Sequence, residues 1–130
     1  MLKTYLAIMI GGGAGTGLRM ALSSMLALKF GETFPVGTLL VNVTGCFVIG
    51  LFAALTGPEG PLLASPLTRQ VIMIGVLGGY TTFSSFSLQT LVLLQDGEWL
   101  QAGLNVVLSV VLCLVAVWLG NAAASLLHHH

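Results

Sequence analysis

Charge is what this sequence has least of. Its 130 residues include four Lys or Arg and four Asp or Glu, so 6% are charged, against about 25% in soluble domains. So few charges cannot coat a water-exposed surface. Intrinsic disorder is excluded too, because it requires low hydrophobicity and high charge, whereas 56% of this chain is hydrophobic. Four basic residues cannot neutralise a phosphate track, which argues against nucleic-acid binding. Histidine occurs only as the terminal His128 to His130, read as a purification-tag remnant and set aside. No acid pair, activated nucleophile or other histidine is available, so an enzyme is the least favoured reading. The two cysteines, Cys46 and Cys113, lack metal-ligand spacing and read as buried free thiols. The class that remains is an all-α integral membrane protein, with a mean hydropathy of +1.02.

The charges cluster, and the gaps between clusters have membrane-spanning length. Twenty-six uncharged residues separate Glu32 from Glu59, and another 26 separate Arg69 from Asp96. A span needs roughly 20 apolar residues. Four helices are expected at about 4–28, 34–57, 69–94 and 99–126, forming one membrane domain over 1–127. The loops between them are short. The longest, from Gly57 to Pro66, is rich in helix breakers. Lys3 precedes an apolar run without a small-residue cleavage site, so the first helix is read as retained.

Four spans place the N-terminus, the second loop and the C-terminus on one side, with Lys3 and Arg69. The other side carries Lys29, with Arg19 leaning toward it. The positive-inside bias is therefore close to zero. This balance suits either small-number variation or dual topology, with copies inserted both ways and paired antiparallel. A homodimer is also the usual remedy for a wall only four helices thick.

Within the spans, no carboxylate is found. Proton- or cation-coupled transporters usually carry one there, and the small multidrug exporters rely on a glutamate in the first helix. Arg19 is the one formal charge at depth. It reads either as a snorkelling side chain or as a positive group at a wet mouth. Gly11 with Gly15, Gly13 with Gly17, and Gly75 with Gly79 have the small-xxx-small spacing that lets helices approach closely.

Polar uncharged residues recur with helical spacing. Thr38, Asn42 and Cys46 form one stripe of the second helix; Asn105, Ser109 and Cys113 form one of the fourth. Such stripes serve interhelical hydrogen bonding or line a narrow path. The third span contains Gly78-Gly79-Tyr80-Thr81-Thr82-Phe83-Ser84-Ser85-Phe86-Ser87. Weak helix formers meet there at mid-span, and Ser and Thr add competing hydrogen bonds. A break is expected. Freed backbone groups in a membrane must face protein or a cavity, and in broken helices they hold ions. Phe83 and Phe86 share one face, and an aromatic ring has a positive edge that an anion can meet.

That third-span run resembles the GGxTTFSTFS signature of the Fluc (CrcB) fluoride channels. Gly37-Thr38 followed by Val41-Asn42-Val43-Thr44-Gly45 is similar to the family's GT-x-x-VN-x-x-G segment. Gly13 to Arg19 resembles its glycine-rich first helix. The likeness covers essentially the whole chain before the histidines. It implies an antiparallel, dual-topology homodimer in a bacterial inner membrane, exporting cytoplasmic fluoride passively through two pores. It implies a structural Na+ at the dimer interface, on the backbone carbonyls of Gly78 and Thr81. Phe83 and Phe86 would supply ring edges, with Asn42 between them. Ser84, Ser85, Thr38 and Ser109 would continue the polar track, and Arg19 would stand by the vestibule. Gln89 replaces an acidic residue frequent in the family, and Asn105 replaces a tyrosine. The rivals are a small coupled exporter and a non-conducting assembly subunit.

Dual topology has a direct test. Two lysines added to one loop should push a mixed population toward a single orientation, read by cysteine accessibility from each side. A wild type already inserted one way would exclude the antiparallel pair.

Overall fold

The computed structural model describes residues 1–128; His129 and His130 of the expected tag remnant lie outside the described residues. Helix α1 runs Leu2–Phe30 and α2 runs Val36–Leu55. The third segment is composite: α3 Pro66–Gln70, a π-helical stretch Val71–Val76, α4 Leu77–Tyr80 and α5 Phe83–Gln95. Helix α6 runs Trp99–His128. All four segments are long and apolar enough to cross a membrane. The expected spans thus hold, with ends shifted by a few residues.

Local chemistry explains the boundaries. Ser65 caps α3, its hydroxyl accepting from the Thr68 amide at 3.1 Å, with Pro66 at the first helical position, where its missing N–H costs nothing. Gly31 and Gly97 carry the only positive φ values among the described residues, 83° and 76°, and both sit in tight connections between spans. Trp99 and Trp118 are exposed on α6. They lie about 28 Å apart along it, close to the thickness of a hydrocarbon core, as tryptophans at two membrane interfaces would.

The helices pack as two close pairs. Helix α1 lies on the first half of the third segment, and α2 lies on α6. Glycine makes both contacts possible. A Cβ on Gly15 would overlap the Val76 carbonyl oxygen, and one on Gly79 would overlap that of Gly12. On the other pair, Gly50 faces the Val117 carbonyl and Gly120 faces that of Phe47. Of the two glycine pairs expected in α1, only Gly11 and Gly15 are buried; Gly13 and Gly17 meet nothing within the subunit. The reason is angular. Two residues along a helix is about 200° around it, so the second pair points away from the seam.

The π-helical stretch was not foreseen. It is a wider turn with i→i+5 bonding, of the kind often found at functional sites. Leu77 there donates its amide to the Ile72 carbonyl. The outer surface of the bundle is apolar, with Met9, Ile10, Leu63, Ile74, Leu100 and Leu114 each more than half exposed. Lipid is the solvent such a surface suits.

The seam predicts a paired outcome. Gly15→Ala should cost about 1–3 kcal/mol through overpacking, lowering the melting temperature in detergent. Gly13→Ala, with open space at its Cβ, should leave it unchanged.

Candidate functional site

The third segment is interrupted at Thr81 and Thr82, where the break was expected. Thr81 (φ −86°, ψ 159°) and Thr82 (φ −155°, ψ 117°) are extended. Their neighbours α4 and α5 therefore end and begin in mid-bundle. The Thr82 hydroxyl caps α5 by accepting from the Ser85 amide at 3.2 Å, which replaces one bond lost at the break. The Thr81 amide and hydroxyl both reach back to the Leu77 carbonyl, at 3.0 and 2.9 Å.

Residues from α1 and α2 hold the break from both sides. Asn42 of α2 pairs with the Thr82 peptide: its Nδ2 donates to the Thr82 carbonyl at 3.0 Å, and its Oδ1 accepts from the Thr82 amide at 2.7 Å. Three residues on, Gly45 leaves room where a Cβ would strike the Thr81 methyl group. Tyr80 is buried, with its hydroxyl 2.8 Å from that of Thr44. The Thr44 hydroxyl has acceptors in the Leu40 and Val41 carbonyls. With its one proton used there, Tyr80 is the donor. From α1, Arg19 Nε donates to the Gly79 carbonyl at 3.1 Å, joined by the Thr16 hydroxyl at 3.4 Å.

Arg19 therefore stands at the break. Its Nε is committed to a backbone carbonyl, and it does not line the large end cavity. That cavity, about 950 Å³, lies between the α1–α2 connection and the end of α5. Thr38 and Gln89 line it, and its charged lining residues are Glu32, Asp96 and Glu98. This mouth is acidic, so it does not itself attract an anion.

What the break leaves open is as informative. Among the described residues, the carbonyls of Gly78, Tyr80 and Thr81 accept no hydrogen bond, and the amides of Phe83 and Ser84 find no acceptor. Free carbonyls suit a hard cation such as Na+, so the Gly78 and Thr81 pair fits the ion that the resemblance implies. Free amides at a helix N-terminus suit an anion. The Phe83 and Phe86 rings lie 5.4 Å apart and tilted by 49°. Phe86 is buried, whereas Phe83 is 76% exposed. The two share a flank of α5, but only one is covered within the subunit.

A polar chain joins α5 to α6. Ser109 Oγ donates to Asn105 Oδ1 at 3.4 Å, Asn105 Nδ2 to Thr90 Oγ1 at 2.9 Å, and Thr90 Oγ1 to the Phe86 carbonyl at 2.8 Å. Asn105 is 1% exposed, and Thr38 and Ser109 are also buried. Ser84 is exposed beside the Thr82 hydroxyl at 3.3 Å, and Ser85 is half-buried. The chain's Thr90 was not singled out from sequence. The available signal was its spacing, four residues beyond Phe86 on the same helical face. Thr16, Thr44 and Tyr80 had no assigned role either, because their partners lie on other helices. Cys46 and Cys113 are free thiols, as read, but half-buried rather than buried.

Together these features define a polytopic membrane protein with four spans, a discontinuous third helix and unpaired backbone groups at its centre. The chain belongs to the CrcB family: residues 6–121 match the family described as CrcB-like protein, Camphor Resistance. It is 61% identical over 123 residues to a protein of Opitutus terrae named "Fluoride-specific ion channel FluC", covering 95% of this chain and 93% of that one. A protein of the same name from Rhodospirillum rubrum is 54% identical over 125 residues, covering 96% and 97%. "Fluoride-specific ion channel FluC 3" of Brucella suis is 45% identical over 118 residues, covering 91% and 89%.

The α5–α6 chain is testable by itself. Thr90→Val should cost about 1–3 kcal/mol, because it strands an Asn105 N–H that is buried. Adding Asn105→Ala should cost less than its effect alone, since it removes the stranded group. Unfolding in detergent micelles measures both.

Proposed function

We propose that this chain is a passive, fluoride-selective channel, working as an antiparallel homodimer with two pores in a bacterial inner membrane. The observation that carries the reading is the interrupted third helix. Its break leaves carbonyls free on one side and the Phe83 and Ser84 amides free on the other, in a bundle whose four carboxylates all lie outside the spans. That arrangement serves ions without offering a coupling acid. The family membership and the names of its relatives favour fluoride as the ion.

Fluoride is small and strongly hydrated, so a pore must replace its water. The donors proposed for this are the Thr38, Ser84 and Ser85 hydroxyls, with the ring edges of Phe83 and Phe86, with Asn42 close by and with Ser109, whose proton serves Asn105, continuing the polar track. Neutral ligands suit conduction, because an ion must bind well enough to enter and weakly enough to leave. Arg19 adds a fixed positive charge at the break. Gly78 and Thr81 would hold Na+ through their carbonyls at the dimer interface; when bound, it supplies positive field there. The exposed Phe83 ring favours a second copy covering it. The chain is a channel of its family, not an enzyme.

Liposomes containing this protein alone should release fluoride, without a proton gradient, far faster than chloride. Phe83→Ile should slow fluoride release by about tenfold, the rate equivalent of an aromatic contact worth about 1.4 kcal/mol. A requirement for a proton gradient would favour the coupled exporter. Permeability equal to that of empty liposomes would favour the assembly subunit.

A further inference from the structure

The Asn42 carboxamide does something a simple ion ligand does not. Its two bonds, at 3.0 and 2.7 Å, occupy both the carbonyl and the amide of one residue, Thr82. This is the exchange a neighbouring β-strand makes with an extended residue, and Thr82 is extended. The side chain is thus a one-residue strand. Had the helix continued, the Thr82 amide would have donated to the Gly78 carbonyl four residues back. It is diverted to Asn42 Oδ1, and Gly78 is left without a donor. The same peptide leads directly into Phe83, the first residue of α5.

We propose that Asn42 is a positioning residue, acting on conduction through the Thr82 peptide. It holds the break open, keeps the Gly78 carbonyl available and sets where α5, with Phe83 and Phe86, begins. Its planar amide is fixed at both ends, so the N–H not bound to Thr82 has a fixed direction. The neighbouring residues fit this role. Val41, 1% exposed, anchors α2 beside Asn42, and Gly45 clears the space that Thr81 occupies. For its effect on ion flow, the inference rests on the channel reading; the clamp itself does not.

The test is a double-substitution cycle in the full-length chain, reconstituted in liposomes. One change replaces Thr82 by its α-hydroxy acid analogue, giving a backbone ester that lacks the amide donor but keeps the side chain. The other is Asn42→Ala. The ester should slow fluoride release about fivefold, the factor for one net hydrogen bond, and Asn42→Ala, which removes two, by up to about 25-fold. Both should lower the fluoride-to-chloride ratio, which a loss of stability alone would not move. Combined, they should match Asn42→Ala alone, because the bond that the ester removes is already missing there. A combined loss about fivefold beyond that of Asn42→Ala, or an ester that conducts like wild type while Asn42→Ala does not, overturns the proposal. If wild type releases no fluoride, the channel reading fails separately. The same cycle on melting temperature in detergent then decides the clamp: non-additive losses support it, and additive ones overturn it.

Discussion

A peptide group inside a membrane has no water to turn to. Every amide and carbonyl left by a helix break must find a protein partner or face a cavity or ion. In this protein that constraint falls on Thr81 and Thr82, and much of the surrounding structure answers it. Asn42 takes both polar groups of Thr82. Arg19 and Thr16 take the Gly79 carbonyl. Thr82 itself caps the helix that follows. A few groups stay without partners: the carbonyls of Gly78, Tyr80 and Thr81 and the amides of Phe83 and Ser84. A break so heavily supported on its flanks is a feature the fold maintains, since each support offsets a desolvation cost of order 1–3 kcal/mol.

The supports reach the break only because the backbones come close. Glycine against carbonyl is the rule at both helix pairs: Gly15 on Val76, Gly79 on Gly12, Gly50 on Val117 and Gly120 on Phe47. In lipid there is no hydrophobic gain in bringing apolar helices together, so close packing and hydrogen bonds must drive association. Small residues serve the first need and the Asn105–Thr90 chain serves the second. Among the described residues the buried apolar set is correspondingly modest, with Ala102, Ala116 and Ala124 among its nine members.

The electrostatics follow from scarcity. The formal charge deep inside a span is that of Arg19, and it is placed where α4 ends; Lys3, Lys29 and Arg69 stand near span ends. A cation there complements the negative end of that short helix as well as its carbonyl. The acids gather at the loops, and three of them line the wide mouth next to Thr38 and Gln89. Positive field within the bundle therefore has to originate at its centre. The centre has the means: a guanidinium, a helix N-terminus with free amides, and carbonyls suited to Na+.

Much of this is legible in the amino-acid sequence. Low charge and evenly spaced apolar runs determine four spans, because each segment must match the same hydrocarbon thickness. Two glycines and two threonines in mid-span determine where the third helix breaks, because helix propensity is a local property. The run from Gly78 to Ser87 determines the family. What the sequence could not carry was partnership. Gly13 and Gly15 read alike, yet one faces open space and the other a carbonyl oxygen. Arg19 suited a mouth, and its Nε is found on a carbonyl at the break; Asn42 suited an ion, and its amide is found bound to a peptide. Thr90 and Thr44 have no evident role until Asn105 and Tyr80 stand beside them. Periodicity says which residues share a face, but not what that face meets. Only the tertiary structure decides the partner, because a hydrogen bond depends on the distance and angle between groups that lie dozens of residues apart in the chain.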